Sequence, residues 1–212
     1  MARPRLITDE QILTSTRECV LEHGPHVSVD AVAEQLGVTG PALLKRFGSR
    51  QELLLRALRP PDQMPFEADF LAGPDERPLE EQLDTLFGKV FEFFEQVLPC
   101  VMALRESGIP PDKVWDKKRH SPINAIRVIA RWVELGVERG LVATPAPETV
   151  ATAMLGALQT RAMTAHVLHH SYSSRSNREY LKDLSQLFSR ALEVPTSGRR
   201  NVKRALTGRA LP

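Results

Sequence analysis

The 212-residue sequence contains only two cysteines, and aromatic residues make up just 6% of it. Cys19 and Cys100 are far apart and provide no disulfide framework, so we interpret them as core residues of helices in a reducing cytoplasm. Long apolar runs are lacking too, which predicts no membrane-spanning helix and no membrane partner. The first ten residues include two arginines but no apolar stretch, so we expect no secretory signal.

Motifs that would indicate catalysis are also lacking. We find no phosphate-binding glycine loop, no serine nucleophile elbow and no paired-carboxylate motif, so the sequence predicts a protein that is not an enzyme and has no cofactor. His166, His169 and His170 do have the spacing that could place two imidazoles on one metal ion. Because no cysteine or carboxylate accompanies them, we favour a solvated or interface cluster and predict no metal site. A helical metalloenzyme that uses these histidines remains an alternative function for the protein.

Charge is unevenly distributed along the chain. The net charge is +2 overall, +1 over residues 1–59, −4 over 60–194 and +5 over 195–212. This balance alone does not indicate a nucleic-acid partner. The basic tail at 195–212 has turn-forming residues and little apolar content, which predicts a disordered end. Non-specific binding of the tail to DNA or to an acidic partner is the alternative.

Helical spacing of apolar residues predicts an all-α protein of about nine helices. We expect a three-helix helix-turn-helix DNA-binding domain at residues 1–58, a linker at 59–75 and a C-terminal helical bundle for ligand binding and dimerisation at 76–194. Proline and glycine punctuate this order, with Pro99 expected to kink or end the first long helix. The predicted C-terminal helices span about 79–98, 101–107, 112–119, 122–139, 148–170 and 176–193.

Residues 28–47 read as two short helices joined by a tight turn. Ser28 is a good N-cap, and Gly37 can adopt the left-handed conformation that ends a helix. Thr39 can cap the second helix, in whose first turn Pro41 is tolerated. This pattern is typical of a helix-turn-helix, whose second helix lies in the DNA major groove. A helical hairpin that only packs is the alternative.

The chemistry of this motif suits DNA. The helix N-termini at Ser28 and Thr39 favour a phosphate, while basic side chains release counterions from DNA. Ala42 can touch a thymine methyl group. The predicted DNA-binding residues are Ser28, Thr39, Gly40, Pro41, Ala42, Lys45, Arg46 and Arg50.

The stretch from Leu6 to Leu58 resembles the tetracycline-repressor (TetR) family of bacterial transcription regulators. The residues that carry the resemblance are Ser28, Val32-Ala33, Gly37-Val38-Thr39, Leu43, Phe47 and Ser49-Arg50-Gln51-Glu52-Leu53. The sequence departs from the family pattern at three positions: Leu44 replaces a tyrosine that often binds a phosphate, Arg46 replaces a histidine, and Arg50 replaces a lysine. Both arginines keep or add positive charge.

The resemblance implies a cytoplasmic homodimer that binds a palindromic operator in double-stranded DNA, most simply a repressor released by a small, largely hydrophobic effector. It implies an effector pocket in each C-terminal bundle, with Phe87, Phe91, Phe94, Met102, Trp115, Trp132 and Met154 as candidate lining residues. It also implies dimerisation through the last two long helices, for which the candidates are Leu158, Leu184, Leu187 and Phe188. Ordinary core packing is the alternative for each aromatic residue. The alternative for the protein is an all-helical ligand-binding or sequestering dimer that no longer binds DNA.

Overall fold

The computed structural model of the chain describes residues 7–61, 63–114, 122–167 and 174–194. Within these ranges the chain forms ten helices and no strand, which confirms the all-α prediction with one helix more than expected. The helices are α1 (Asp9–His23), α2 (Val29–Gln35), α3 (Gly40–Phe47), α4 (Arg50–Leu58), α5 (Glu67–Leu71), α6 (Leu79–Glu106), α7 (Pro111–Val114), α8 (Pro122–Glu138), α9 (Pro147–Val167) and α10 (Asn177–Ala191). They form two compact units, which are described separately below.

The first unit contains α1 to α4, and each of these helices begins at a side-chain cap. The hydroxyls of Thr8, Ser28, Thr39 and Ser49 each accept a hydrogen bond from the backbone N–H three residues later. Such caps satisfy amides that have no partner within the helix. Ser49 caps α4 without a return contact from Glu52, because the Glu52 carboxylate accepts a hydrogen bond from Arg56 at 3.0 Å instead.

The last part of α6 and all of α7 also belong to the first unit. Leu54 and Leu58 of α4 join a buried cluster with Cys100 and Leu104 of α6. Cys19 lies in the neighbouring cluster with Leu43 and Phe47, so both cysteines are core residues as predicted. Burial raises the pKa of each thiol, which favours the neutral, unreactive form. The domain boundaries at 58 and 76 remain a prediction, to which this packing adds residues 96–114.

Pro99 does not end α6, contrary to one of the two expectations for it. The helix continues to Glu106. A proline in a helix forfeits its own backbone hydrogen bond to the residue four positions earlier, and the rest of the ladder can persist. Val97 and Cys100 are buried on either side of Pro99, and this burial favours continuation of the helix.

The second unit is built around α8, which packs on both α9 and α5. Helix α5 lies within the segment expected to be an irregular linker, so that expectation was wrong for residues 67–71. Phe66 and Phe70 at this helix are fully buried, and Phe70 meets Trp132 of α8 edge to face with ring centroids 6.3 Å apart. The proline and glycine residues on either side of this segment predicted a loop. Tertiary packing nevertheless stabilises a short helix there.

The remaining predicted elements agree closely with the structure. Ser176 and Glu179 form a capping box at the start of α10, which was expected at about residue 176. Helix α9 begins one residue early, at Pro147, and the predicted ends of the helices at 119 and 170 lie outside the described residues. Of the helices in the described ranges, none combines the length and apolar character that crossing a bilayer requires.

Candidate nucleic-acid interface

The turn between α2 and α3 has the backbone hydrogen bonding that a helix-turn-helix requires. Gly37 adopts a φ of 65°, a left-handed value that glycine tolerates without steric cost. The N–H of Val38 then donates to the carbonyl of Ala33 at 3.0 Å, which closes the end of α2. Thr39 follows at once as the cap of α3, with its hydroxyl 3.4 Å from the Ala42 nitrogen. Ser28 caps α2 in the same way at 3.1 Å.

Gly40 is required at the start of α3 by the closeness of α2. A Cβ atom at this position would lie 2.0 Å from Oδ1 of Asp30. The absence of a side chain therefore lets Asp30 pack over the first turn of α3, and Gly40 is buried. Its contribution to the candidate interface is close helix packing. The sequence pattern had indicated only that it offers no hydrogen bond to a base.

Helix α3 divides cleanly into a buried face and an exposed face. Leu43 and Phe47 are buried in the core with Val32 and Ala33 of α2. On the opposite face, the exposed residues are Pro41, Ala42, Leu44, Lys45 and Arg46. Leu44 lies on this exposed side as well and is 37% exposed. Because its side chain has no polar atom, it can offer DNA only an apolar contact.

Arg46 is bound within its own chain. Its Nη1 donates to the carbonyl of Ile7 at 2.6 Å, and its Nη2 forms an ion pair with Asp9. The guanidinium therefore joins the recognition helix to the start of α1. Both members of the ion pair are substantially exposed, at 41% and 55% of their side-chain surface.

Arg50 is engaged even more fully. Its Nε and Nη2 donate to the carbonyl of Val27, at 3.4 and 3.2 Å, and Nη2 also donates to that of Pro25. These contacts attach the turn before α2 to the first turn of α4. A planar guanidinium has the geometry for such a fork, which the lysine ammonium lacks.

Lys45 differs from both arginines. It is exposed and forms no hydrogen bond or ion pair with any residue that the structure describes. The three cations predicted to meet phosphates are thus unequal, since two bind backbone carbonyls of the same chain. Lys45 is the cation of α3 that is available to a partner.

The sequence of this unit matches a known family. Residues 12–57, which include all of α2 and α3, match the family described as bacterial regulatory proteins, tetR family. The N-terminal helix-turn-helix domain is therefore a TetR-type domain. The family comprises non-enzymatic regulators that bind DNA through this helix-turn-helix domain.

Solved structures of TetR-family proteins share the fold at low sequence identity. A TetR transcription regulator from Haloarcula marismortui has a TM-score of 0.59 at 18% identity, covering 87% of this chain and 97% of that one. PfmR from Thermus thermophilus has a TM-score of 0.56 at 20% identity, with coverages of 85% and 97%. FadR from Bacillus subtilis, in complex with stearoyl-CoA, has a TM-score of 0.52 at 15% identity, with coverages of 88% and 98%. No curated protein sequence matches this chain.

The candidate effector residues fall into three groups. Phe87, Phe91, Phe94, Trp132 and Met154 are all buried in the second unit. Met102 is half-buried and belongs to the first unit, and Trp115 lies outside the described residues. Several aromatic rings of the second unit contact one another: Phe66 meets both Phe70 and Phe93, and Phe93 meets Phe94. Of the predicted lining residues, Phe94 belongs to this aromatic cluster, as does Trp132 through Phe70, and the effector site itself stays a prediction.

The candidate dimerisation residues are not equivalent in the structure. Leu158 is fully buried and Leu184 is 7% exposed, so both already lie within the core of the second unit. Leu187 is 62% exposed, whereas Phe188 packs edge to face on Phe87 at 5.9 Å. Of the four, only Leu187 presents a large apolar surface to solvent.

The outward face of α9 was not predicted from the sequence. Its exposed residues recur with alternating spacings of three and four: Ala153, Gly156, Thr160, Met163 and Val167. That spacing is the seam of a helix that packs against another helix. These residues are mostly small and weakly apolar. Because the buried face of the same helix is more strongly apolar, it determined the sequence pattern, and the outward face gave no separate signal.

The histidine cluster is only partly described. His166 is exposed near the end of α9, and His169 and His170 lie outside the described residues. Among the residues that are described, no three histidine, cysteine or acidic side chains are grouped as metal ligation requires. The prediction of no metal site therefore stays a prediction.

Proposed function

We propose that this protein is a homodimeric transcriptional regulator that binds a palindromic operator in the cytoplasm and is released from it by a small hydrophobic effector. The observation that carries the proposal is the division of α3 into a buried face and an exposed face, within a TetR-type domain. Its buried face anchors it to α1 and α2, while its opposite face presents Ala42 and Lys45 to solvent. A repressor is the simplest form of such a regulator.

Electrostatics supports DNA as the partner of this face. The free amides and dipole of the α3 N-terminus favour an anion, and Thr39 takes up only one of these amides. Lys45 adds an available positive charge on the same helix. Since phosphate contacts position a protein and base contacts select sequence, we assign positioning to Lys45 and the α3 N-terminus. Base contact falls to Ala42 and its exposed neighbours.

The proposed dimer uses the outward surfaces of α9 and α10. Leu187 on α10 and the face of α9 from Ala153 to Val167 are exposed in the isolated chain. Gly156 has open space around its Cα, which allows another helix to approach closely. A two-fold axis between these faces would pair identical surfaces and would give the operator matching symmetry. The buried Leu158 and Leu184 support these helices from within.

The proposed effector binds among the aromatic residues of the second unit. Apolar and aromatic linings are typical of small-molecule sites. FadR from Bacillus subtilis, which shares the fold, was solved with stearoyl-CoA. This supports a ligand with an apolar portion. Such an effector would act by binding more tightly to one arrangement of the dimer's two DNA-binding domains than to another.

Selection of bound duplexes from a random DNA library, at near-physiological salt, tests the proposal. We expect one enriched palindrome, bound by a species with the mass of a dimer. Binding should weaken by about 10³-fold between 50 and 200 mM salt if roughly six phosphates are contacted. Enrichment of no sequence by folded protein would contradict DNA recognition.

The second candidate is a ligand-binding dimer that does not bind DNA. Two observations favour it. The exposed Leu44 contributes no polar group to the outward face of α3, and the guanidinium groups of Arg46 and Arg50 are hydrogen-bonded within the chain. It predicts effector binding that is insensitive to salt and no enriched duplex. The same selection experiment therefore distinguishes the two functions.

A further inference from the structure

The exposed face of α3 is apolar over the first part of the helix. Between residues 40 and 44 no side chain carries a polar atom, and Lys45 is the first residue of the helix that does. The outward residues of this stretch are Pro41, Ala42 and Leu44, because the other two are buried. A surface of this kind neither donates nor accepts hydrogen bonds through its side chains.

Pro41 and Leu44 are neighbours on this surface. Residues three apart lie on the same face of a helix, and helical side chains lean toward the N-terminus. The two residues therefore form one apolar row, with Ala42 next to it. Lys45 follows Leu44 and is exposed as well. An apolar row that ends at a cation suits a groove with bases on its floor and phosphates along its edge.

The floor of the DNA major groove offers one apolar group. Base edges there present hydrogen-bond donors and acceptors, and thymine alone adds a methyl group, on ring atom C5. 5-Methylcytosine carries a methyl group on the same ring atom. Contact with an aliphatic side chain removes this methyl group from water, which is favourable. An apolar helix face therefore selects among bases by the 5-methyl group.

On the basis of the proposed function, we propose that Pro41 and Leu44 are specificity-determining residues that contact pyrimidine 5-methyl groups in the major groove. Together with Ala42 they form what we call the methyl-contact row of α3. Leu44 thus contacts a base, whereas the tyrosine that it replaces in the family pattern often binds a phosphate. Recognition by this helix then depends on methyl groups more than on hydrogen bonds to bases.

The first test removes methyl groups from the DNA one at a time. In the duplex that the wild-type protein enriches, each thymine is replaced by deoxyuridine, which keeps every hydrogen-bonding group and lacks only the methyl. We expect about two positions in each half of the palindrome at which binding weakens by about 4-fold, as burial of one methyl-sized group implies. An enriched sequence without thymine, or a scan in which no position matters, would overturn the inference.

The second test assigns one of these methyl groups to Leu44. Leu44→Ala should bind the thymine duplex about 5-fold more weakly than the wild type. On the duplex with deoxyuridine at the contacted position, the same substitution should cost less than about 2-fold, because the partner methyl is already absent. Equal losses on the two duplexes would overturn the role of Leu44.

The matched control for this test is Leu21→Ala. It removes the same side chain from a position of α1 that is 46% exposed. This variant should bind every duplex as the wild type does. Circular dichroism of both variants checks that the helices remain.

The third test returns the methyl group on a different base pair. At the position assigned to Leu44, thymine is changed either to cytosine or to 5-methylcytosine, so that these two duplexes differ only by the methyl group. The wild-type protein should bind the methylated duplex about 4-fold more tightly, and Leu44→Ala should bind both alike. Equal binding of the two duplexes by the wild type would show that hydrogen bonds select the base, contrary to the inference.

The outcomes separate this inference from the proposed function. Tight, sequence-specific binding that is indifferent to deoxyuridine overturns the methyl-contact row and leaves the regulator intact. Sensitivity to deoxyuridine that Leu44→Ala retains in full overturns the role of Leu44. Failure of the folded wild-type protein to bind any duplex contradicts both the inference and the proposed function.

Discussion

Helix α3 of the first unit is one-sided in that its charged residues are confined to the exposed face, whereas α9 of the second unit carries apolar residues on both its buried and its exposed faces. Helix α3 buries Leu43 and Phe47 and exposes Lys45 and Ala42 on the other face. Helix α9 buries Leu158 but also exposes Met163 and Val167. A one-sided helix reveals from sequence which residues face the core. A two-sided helix does not, because core and interface both select apolar residues.

The largest effect that this contrast predicts is in the second unit. Trp132→Ala removes a fully buried indole that packs on Phe70, so we expect the free energy of unfolding to fall by about 3–5 kcal/mol. Chemical denaturation measures it. Ile123→Ala on the same helix, where the side chain is 59% exposed, is the control and should change stability by less than about 0.5 kcal/mol. Equal effects would mean that α8 is not oriented as described.

Arg50 tests whether the first unit uses a predicted DNA cation for its own folding. Arg50→Ala removes the hydrogen bonds to the carbonyls of Pro25 and Val27, which we expect to cost about 2 kcal/mol of unfolding free energy. Arg50→Lys should recover little of it, because an ammonium lacks the planar, separated donors with which the guanidinium meets both carbonyls. Unchanged stability of Arg50→Ala in thermal or chemical melts, together with weaker DNA binding, would instead indicate that Arg50 binds a DNA phosphate.

The close packing of α2 on α3 predicts a smaller loss of stability, which depends on the side chain at position 30. Gly40→Ala should destabilise the protein by about 1 kcal/mol, because the new methyl group meets the Asp30 carboxylate. Asp30→Ala should abolish that cost, since α3 then gains a better helix former at no steric expense. Unfolding free energies of the two single variants and the double variant measure the coupling. Additive effects would contradict the contact.

The capping box of α10 predicts the smallest effect, and it depends on pH. Hydrogen bonds from the backbone N–H and hydroxyl of Ser176, both at 2.8 Å, hold the pKa of Glu179 below its ordinary value of about 4.3. Its stabilising contribution is therefore complete above that value and is lost as the pH falls through the lowered folded-state pKa. Glu179→Gln, which can keep the box, should unfold with a flatter acid dependence. Identical acid profiles would show that the carboxylate contributes nothing.

Sequence patterns predicted helix positions well, because the signals are local. The predicted caps at Ser28 and Thr39 and the predicted start of α8 at residue 122 are confirmed. Each depends on residues within one or two helical turns of one another. The same locality explains the error at residues 67–71, where distant aromatic packing stabilises a helix between two helix-breaking pairs.

Local sequence patterns could not predict the hydrogen-bond partners of the arginine side chains. Arg46 reaches a carbonyl 39 positions earlier, and Arg50 reaches carbonyls 23 and 25 positions earlier. Backbone carbonyls occur at every residue, so no spacing marks the one that an arginine will bind. The exposed Leu187 and the buried Leu158 likewise became distinguishable only once the packing of α9 and α10 was known.

DNA binding by Lys45→Ala, measured against the duplex that the wild-type protein enriches, is the most direct test of α3 as the DNA-reading helix. Lys45 is the exposed cation of α3 without a partner among the described residues. We expect about 10-fold weaker binding and a salt slope smaller by about 1, with unchanged stability and unchanged mass in solution. Unchanged affinity and salt dependence would contradict the assignment of α3 to DNA reading.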